Sequence, residues 1–178
     1  SYTGNQWQNF YSIDAGWLMS EEEFMKDITW LDMLKLKGSW GTLGNQNLDK
    51  AYPAEPLLTN AYSAVFGKPS AIYPGYQLSY LPNPNLRWEK VEAWEAGAEA
   101  NFFRNRLHIE GVYYQKTTKD LLAEVPGISG TVPGIGNLGS IENKGVELAI
   151  NWRDQIGDWG YNVGANLTTI KTKVLSLV

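Results

Sequence analysis

The stretch Lys144-Gly145-Val146-Glu147-Leu148-Ala149-Ile150-Asn151-Trp152-Arg153 decides the fold class. Val146, Leu148, Ile150 and Trp152 alternate with Gly145, Glu147, Ala149, Asn151 and Arg153. Successive side chains of a strand point to opposite faces, so this stretch reads as a strand with one greasy and one polar face. The same period of two recurs on either side of it. Residues 161–169 set Tyr161, Val163, Ala165 and Leu167 against Asn162, Gly164, Asn166 and Thr168. Residues 34–43 set Leu34, Leu36, Gly38 and Trp40 against Lys35, Lys37, Ser39 and Gly41. In residues 10–20 the greasy set is Tyr11, Ile13, Ala15, Trp17 and Met19. Residues 89–102 and 107–116 alternate less cleanly, with Trp94, Ala96, Ala98, Ala100 and Phe102 on one side of the first.

The 178 residues include eight Trp and ten Tyr, while only 19% are charged. Mean hydropathy is −0.32, and the 18 glycines fit a chain of strands and turns better than a helical bundle. Net charge is −4, with no basic block, so the phosphate-neutralising footprint of a nucleic-acid binder is missing. With no cysteine there is no disulfide, no thiolate metal site and no thiol nucleophile. No run approaches the roughly 18 apolar residues of a membrane-spanning helix, although alternating strands also cross membranes.

Length and ornament separate two readings of the alternation. A soluble β-sandwich also alternates, but globular strands cluster near about five or six residues, and these run to about ten or more. Trp17, Trp40, Trp94, Trp152 and Tyr161 lie near the ends of greasy faces, as girdles at the edges of a membrane's apolar band do. The connections also alternate. Residues 102–106 and 153–158 are short polar turns, whereas 44–87 and 117–143 are long and rich in Gly, Pro, Asn and Ser. Within the first long connection, residues 71–81 form an additional strand or an ordered excursion. Ser20, followed by Glu21, Glu22 and Glu23, suggests an N-cap for a short helical turn over residues 20–31. The fold class expected is all-β: a segment of an antiparallel transmembrane β-barrel, with long loops on one side and short turns on the other.

Chemistry-bearing motifs are few. Gly134-Ile135-Gly136-Asn137-Leu138-Gly139 matches G-x-G-x-x-G, but the phosphate-binding version needs a strand before it and a helix after it. Here Pro126, Gly127, Gly130 and Pro133 precede it and a strand beginning near Lys144 follows, so it reads as a glycine-rich loop. His108, the single histidine, lacks ligand partners at metal spacing. Glu95, Glu99 and Glu110 could be paired for glycoside hydrolysis, and the wet interior of a barrel explains them more simply.

The chain also resembles SusC/RagA-type TonB-dependent transporters. Tyr11-Ser12-Ile13-Asp14-Ala15-Gly16-Trp17, Leu34-Lys35-Leu36-Lys37-Gly38-Ser39-Trp40-Gly41 and Asn83-Pro84-Asn85-Leu86-Arg87-Trp88-Glu89-Lys90 carry the likeness. So do Tyr113-Tyr114-Gln115-Lys116-Thr117-Thr118-Lys119-Asp120-Leu121-Leu122 and Asn137-Leu138-Gly139-Ser140-Ile141-Glu142-Asn143-Lys144-Gly145-Val146-Glu147, in the family's order. The resemblance implies an importer of glycans or peptides in Bacteroidota-type outer membranes of Gram-negative cells. Its barrel sits in outer-membrane lipid, works with TonB and carries a SusD-like surface lipoprotein as a lid. It implies no cofactor, no metal and no catalytic residue. Residues 1–178 are then expected to be an internal part of the barrel domain, without plug, TonB box or terminal strands. The two long connections face outward, and Asn45, Gln46, Asn47 and Glu89 at their rim are the candidate substrate contacts. A soluble carbohydrate-binding β-sandwich with Trp and Tyr as sugar platforms is the alternative, and a β-rich hydrolase using Glu95 or Glu110 the third.

Overall fold

Alternation becomes pairing in one antiparallel sheet. The computed structural model describes residues 7–45, 55, 57–67, 71–126 and 133–177. Its strands are β1 (Ser12–Leu18), β2 (Leu31–Asn45), β3 (Leu58–Phe66), β4 (Ala71–Leu78), β5 (Glu89–Phe102) and β6 (Leu107–Lys119). They continue as β7 (Leu122–Val125), β8 (Gly134–Asn137), β9 (Gly139–Ile156), β10 (Trp159–Thr168) and β11 (Lys171–Leu177). The main sheet runs β1-β2-β5-β6-β9-β10, with β11 also on β9. β3 pairs with β4 and β7 with β8 as separate two-stranded ribbons inside the long connections.

Three expectations need correction. The long connections are shorter than 44–87 and 117–143, because the wall strands run further into them than the alternation indicated; each then carries a ribbon, and the strand expected within 71–81 is present as β4. Residues 34–43 are the middle of the 15-residue β2, and residues 144–153 the middle of the 18-residue β9. Next, the helical turn exists only as two single 3-10 turns, Met19–Glu21 and Glu23–Met25. Ser20 caps neither of them, because it lies inside the first turn, and Leu31 already belongs to β2. Lastly, Gly134 to Gly139 is β8 leading directly into β9, which starts at Gly139 rather than near Lys144. Its glycines admit close neighbours. A Cβ on Gly136 would meet Val125 Cγ2 at 2.7 Å, and one on Gly139 would strike the Ser176 carbonyl.

Turn chemistry explains the short end. β9 and β10 join through two residues, with Gly157 at φ +60°, the conformation glycine adopts at no steric cost. Between β5 and β6, Phe103, Arg104 and Asn105 all have positive φ, which is costly for residues with a side chain. Clamps offset that cost: Asn105 N donates to Asp32 (2.8 Å), Arg153 Nε donates to Asn105 O (2.9 Å) and Arg106 N donates to Phe102 O (3.0 Å).

β10 and β11 are one strand interrupted at Thr169. The register with β9 is kept across the break, from Thr168↔Glu147 to Lys171↔Lys144. At the break Val146 N donates to the Thr169 hydroxyl (3.0 Å) instead of a main-chain carbonyl. The freed Thr169 carbonyl turns over Gly145, where the Tyr114 hydroxyl donates to it (3.3 Å). A methyl group on Gly145 would collide with that carbonyl. Gly145→Ala is therefore expected to destabilise the intact barrel by about 1–3 kcal/mol, the usual range for overpacking. Urea unfolding in vesicles measures it, and an unchanged midpoint would contradict this account.

Candidate functional site

Among the described residues the buried apolar side chains are few: Tyr80, Leu86, Ala100 and Ile135. The sheet is a single layer, and its greasy face is uncovered. A sandwich would have buried that face against a second sheet. The soluble β-sandwich is therefore set aside.

Cα partners share a face, so the sheet divides cleanly. One row of partners on the greasy face is Ile13–Trp40–Trp94–Gln115–Lys144–Lys171. Below it on the same face lie Gly38, Leu36 and Leu34 on β2, and Ala96, Ala98, Ala100 and Phe102 on β5. They continue as Gly111, Ile109 and Leu107 on β6 and Leu148, Ile150 and Trp152 on β9. The aromatics fall on two lines that slant across these rows. The upper line is Tyr11, one row above Trp40, then Trp40 and Trp94, then Tyr113 one row below. Trp94 and Tyr113 pack with ring centroids 5.2 Å apart. The lower line starts at Trp17, two rows below Trp40, reaches Phe102 and Trp152 four rows below and ends at Tyr161 five below. Trp30 stacks on Phe102 at 5.8 Å, and Phe103 bridges Phe102 and Trp152.

The slant can be measured. The upper line drops two rows over three strand steps, the lower three rows over five. With about 6.8 Å per row and about 4.8 Å between strands, both slopes correspond to strands tilted by about 40°. Membrane barrels have tilts of about 35–45°. On β5 the lines are eight residues apart, Trp94 to Phe102. That is about 27 Å along the strand and about 21 Å in height, and the six residues from Tyr11 to Trp17 at β1 give about 20 Å and about 16 Å, against an apolar band of about 25 Å in such barrels. Two parallel aromatic borders at this tilt and separation define a membrane-crossing wall.

The opposite face carries the charged and polar side chains over the same height, interrupted by Leu18, Gly97, Val112 and Ala149. Lys35, Glu99, Glu110 and Asn166 share one row, and Lys37, Glu147 and Thr168 the next. Lys37 pairs with Glu110, and His108 Nδ1 lies 2.7 Å from Asn101 Oδ1. The three carboxylates considered for hydrolysis, Glu95, Glu99 and Glu110, belong to this interior ladder.

At the long-loop end the connections close on each other. Asn137 Oδ1 accepts from Arg87 N (2.9 Å), and its Nδ2 donates to the carbonyls of Arg87 (3.0 Å) and Asp120 (2.8 Å). Asn83 Nδ2 donates to Ile135 O (3.2 Å), over the buried Leu86 and Ile135. Of the candidate contacts, Asn45 and Glu89 are cross-strand partners on the polar face, with Asn45 Nδ2 3.5 Å from Glu89 Oε1. Glu89 Oε2 also accepts from Leu122 N (3.4 Å). Gln46 and Asn47 lie outside the described residues. Asn83 and Asn137 stood in the sequence only as letters of two motifs; that these motifs bond to each other required the fold.

The class of protein is thus a transmembrane β-barrel, of which this chain forms part of the wall and outer loops. Residues 1–175 match the family described as TonB dependent receptor-like, beta-barrel, and the chain belongs to that family. TonB-dependent receptor P26 of Formosa agariphila is 35% identical over 176 residues, 97% of this chain. TonB-dependent receptor SusC of Bacteroides thetaiotaomicron is 36% identical over 91% of it. The chain spans about 17% of the length of each of these relatives. The solved RagAB peptide transporter superposes on 94% of this chain with a TM-score of 0.81 at 31% identity, and the match covers 18% of the solved chain. The long connections lie at one end of the wall and the short turns at the other.

Proposed function

We propose that this chain is part of the wall and outer mouth of a TonB-driven nutrient importer in the outer membrane of a Gram-negative bacterium. The reading rests on the pair of slanted aromatic borders, which enclose an uncovered apolar band on one face and a charged ladder on the other. The imported nutrient is a glycan or a peptide; the RagAB relative is a peptide transporter. A SusD-like lipoprotein covers the extracellular loops, and other parts of the protein supply the plug, the TonB contact and the remaining strands. Asn45, Gln46, Asn47 and Glu89 are the candidate nutrient contacts, a role supported for Asn45 and Glu89 by their position on the polar face at the outer mouth. The reading needs no catalytic residue, cofactor or metal.

Fractionation of cells and growth of a deletion strain test this. The intact protein should require detergent for extraction and migrate as a folded barrel on unboiled gels. Its deletion should abolish growth on one polysaccharide or peptide source, as should loss of TonB. Recovery in buffer without detergent would end the membrane reading. Growth unchanged on every such source would end the importer reading alone.

A further inference from the structure

The lipid-facing side of the wall does not become neutral above the upper aromatic border. On β9 and β11, Lys144 and Lys171 are cross-strand partners on the row of Trp94, and Lys173 shares the next row with Glu142. Because the border slants down to Tyr113 on β6, these lysines lie above it rather than within the apolar band. Two strands away, Lys90 and Lys119 are partners two rows above Trp94 on the same face. Against these five lysines stand two acids, Glu92 and Glu142. Glu92 pairs with Lys119 (3.0 Å) and Glu142 with Lys144 (3.4 Å). Lys90, Lys171 and Lys173 make no ion pair among the described residues. The belt carries a surplus of positive charge in a chain whose net charge is −4.

We propose that this belt binds the phosphate groups of outer-leaflet lipid headgroups. The geometry selects that ligand. Each row rises about 5 Å at this tilt, so the lysines stand roughly 10–15 Å above the border, where flexible ammonium stems reach headgroup phosphates. The Lys144–Lys171 pair with Lys173 two residues on presents a cation cluster suited to a headgroup bearing two phosphates. Lysine binds phosphate as a point charge, and its flexible stem lets several ammonium groups converge on one headgroup. The inference rests on the transmembrane reading above.

The test uses the intact importer, purified in detergent and offered a bis-phosphorylated lipid A or its dephosphorylated form, with retained lipid read by native mass spectrometry. Wild type should retain the phosphorylated lipid in preference. The triple variant Lys144→Gln/Lys171→Gln/Lys173→Gln should retain about tenfold less or lower still, while Lys35→Gln, on the lumen face, should match wild type. Equal retention by the triple variant and wild type, or no preference for the phosphorylated lipid, overturns the proposal. Folded-barrel migration on unboiled gels separates the two readings: proteins that migrate as barrels and ignore phosphate refute the belt alone. A wild type that never forms a barrel refutes both.

Discussion

Ile150→Arg in the intact protein is expected to destabilise the membrane-embedded barrel by about 2–4 kcal/mol, the effect of a cation at the bilayer midplane on a lipid face. Asn151→Arg, one residue along, should stay within about 0.5 kcal/mol, because that side chain faces the polar lumen. The choice of Ile150 follows from the slanted borders. On β9 the upper border, extended from Tyr113, passes between Val146 and Leu148, and the lower border is at Trp152, which leaves Ile150 near the middle. A sharper contrast lies within one row. Ala15 and Val146 are both on the row of Gly38, Ala96 and Tyr113, yet Ala15 sits near the midplane of β1 and Val146 at the membrane edge of β9. Ala15→Arg should therefore cost about 2–4 kcal/mol and Val146→Arg only about 0–1. Denaturant unfolding in vesicles, followed by loss of the folded band on unboiled gels, measures all four. Equal costs at Ala15 and Val146 would mean that the rows run level with the membrane, and the 40° tilt would fall with them.

Much of this wall was legible before the structure, because a period of two leaves no choice of face once one residue is assigned. Residues 89–102 coincide with β5, and the greasy sets of residues 34–43 and 144–153 all lie on the lipid side. Aromatic placement was legible too, though not its slant: Trp17 stands mid-sheet by row and at the membrane edge only once strand tilt is known. What stayed hidden lacks a clean period of two in the sequence. β3 and β7 to β8 are short ribbons whose pairing is decided inside loops, where glycine and proline mask periodicity. β11 carries Lys171 and Lys173 at positions of its lipid-facing side, so it lacked an apolar alternation to follow. The G-x-G-x-x-G match failed as a phosphate loop for a local reason. Its glycines serve close backbone and side-chain approach to Val125 and Ser176.

Asn137→Ala is expected to unfasten the extracellular loops while leaving the wall intact. The Asn137 side chain joins three separate pieces of chain: the segment before β5 at Arg87, the end of β6 at Asp120, and β8. Alanine removes three hydrogen bonds, each contributing about 0.5–1.5 kcal/mol net. The two bonds to Arg87 are solvent-exposed and belong at the low end of that range, so the local cost is about 2 kcal/mol. That raises the open population of the loops roughly thirtyfold, and cleavage that samples the open form rises with it. Protease added to intact cells should thus cut near residues 79–88 and 120–138 much faster in the variant. Folded-barrel migration should not change, because β2, β5, β6 and β9 keep all their pairings. Asn137→Asp keeps the acceptor for Arg87 N but sets a carboxylate oxygen against the Arg87 and Asp120 carbonyls, and should open the loops at least as far as alanine. Cleavage at the wild-type rate in Asn137→Ala would mean that the loops are held without this side chain, by the Asn83–Ile135 bond and the burial of Leu86 and Ile135. Faster cleavage together with lost uptake would make the latch a condition of transport: the loops must be presented closed on each other before they can present a surface to a nutrient.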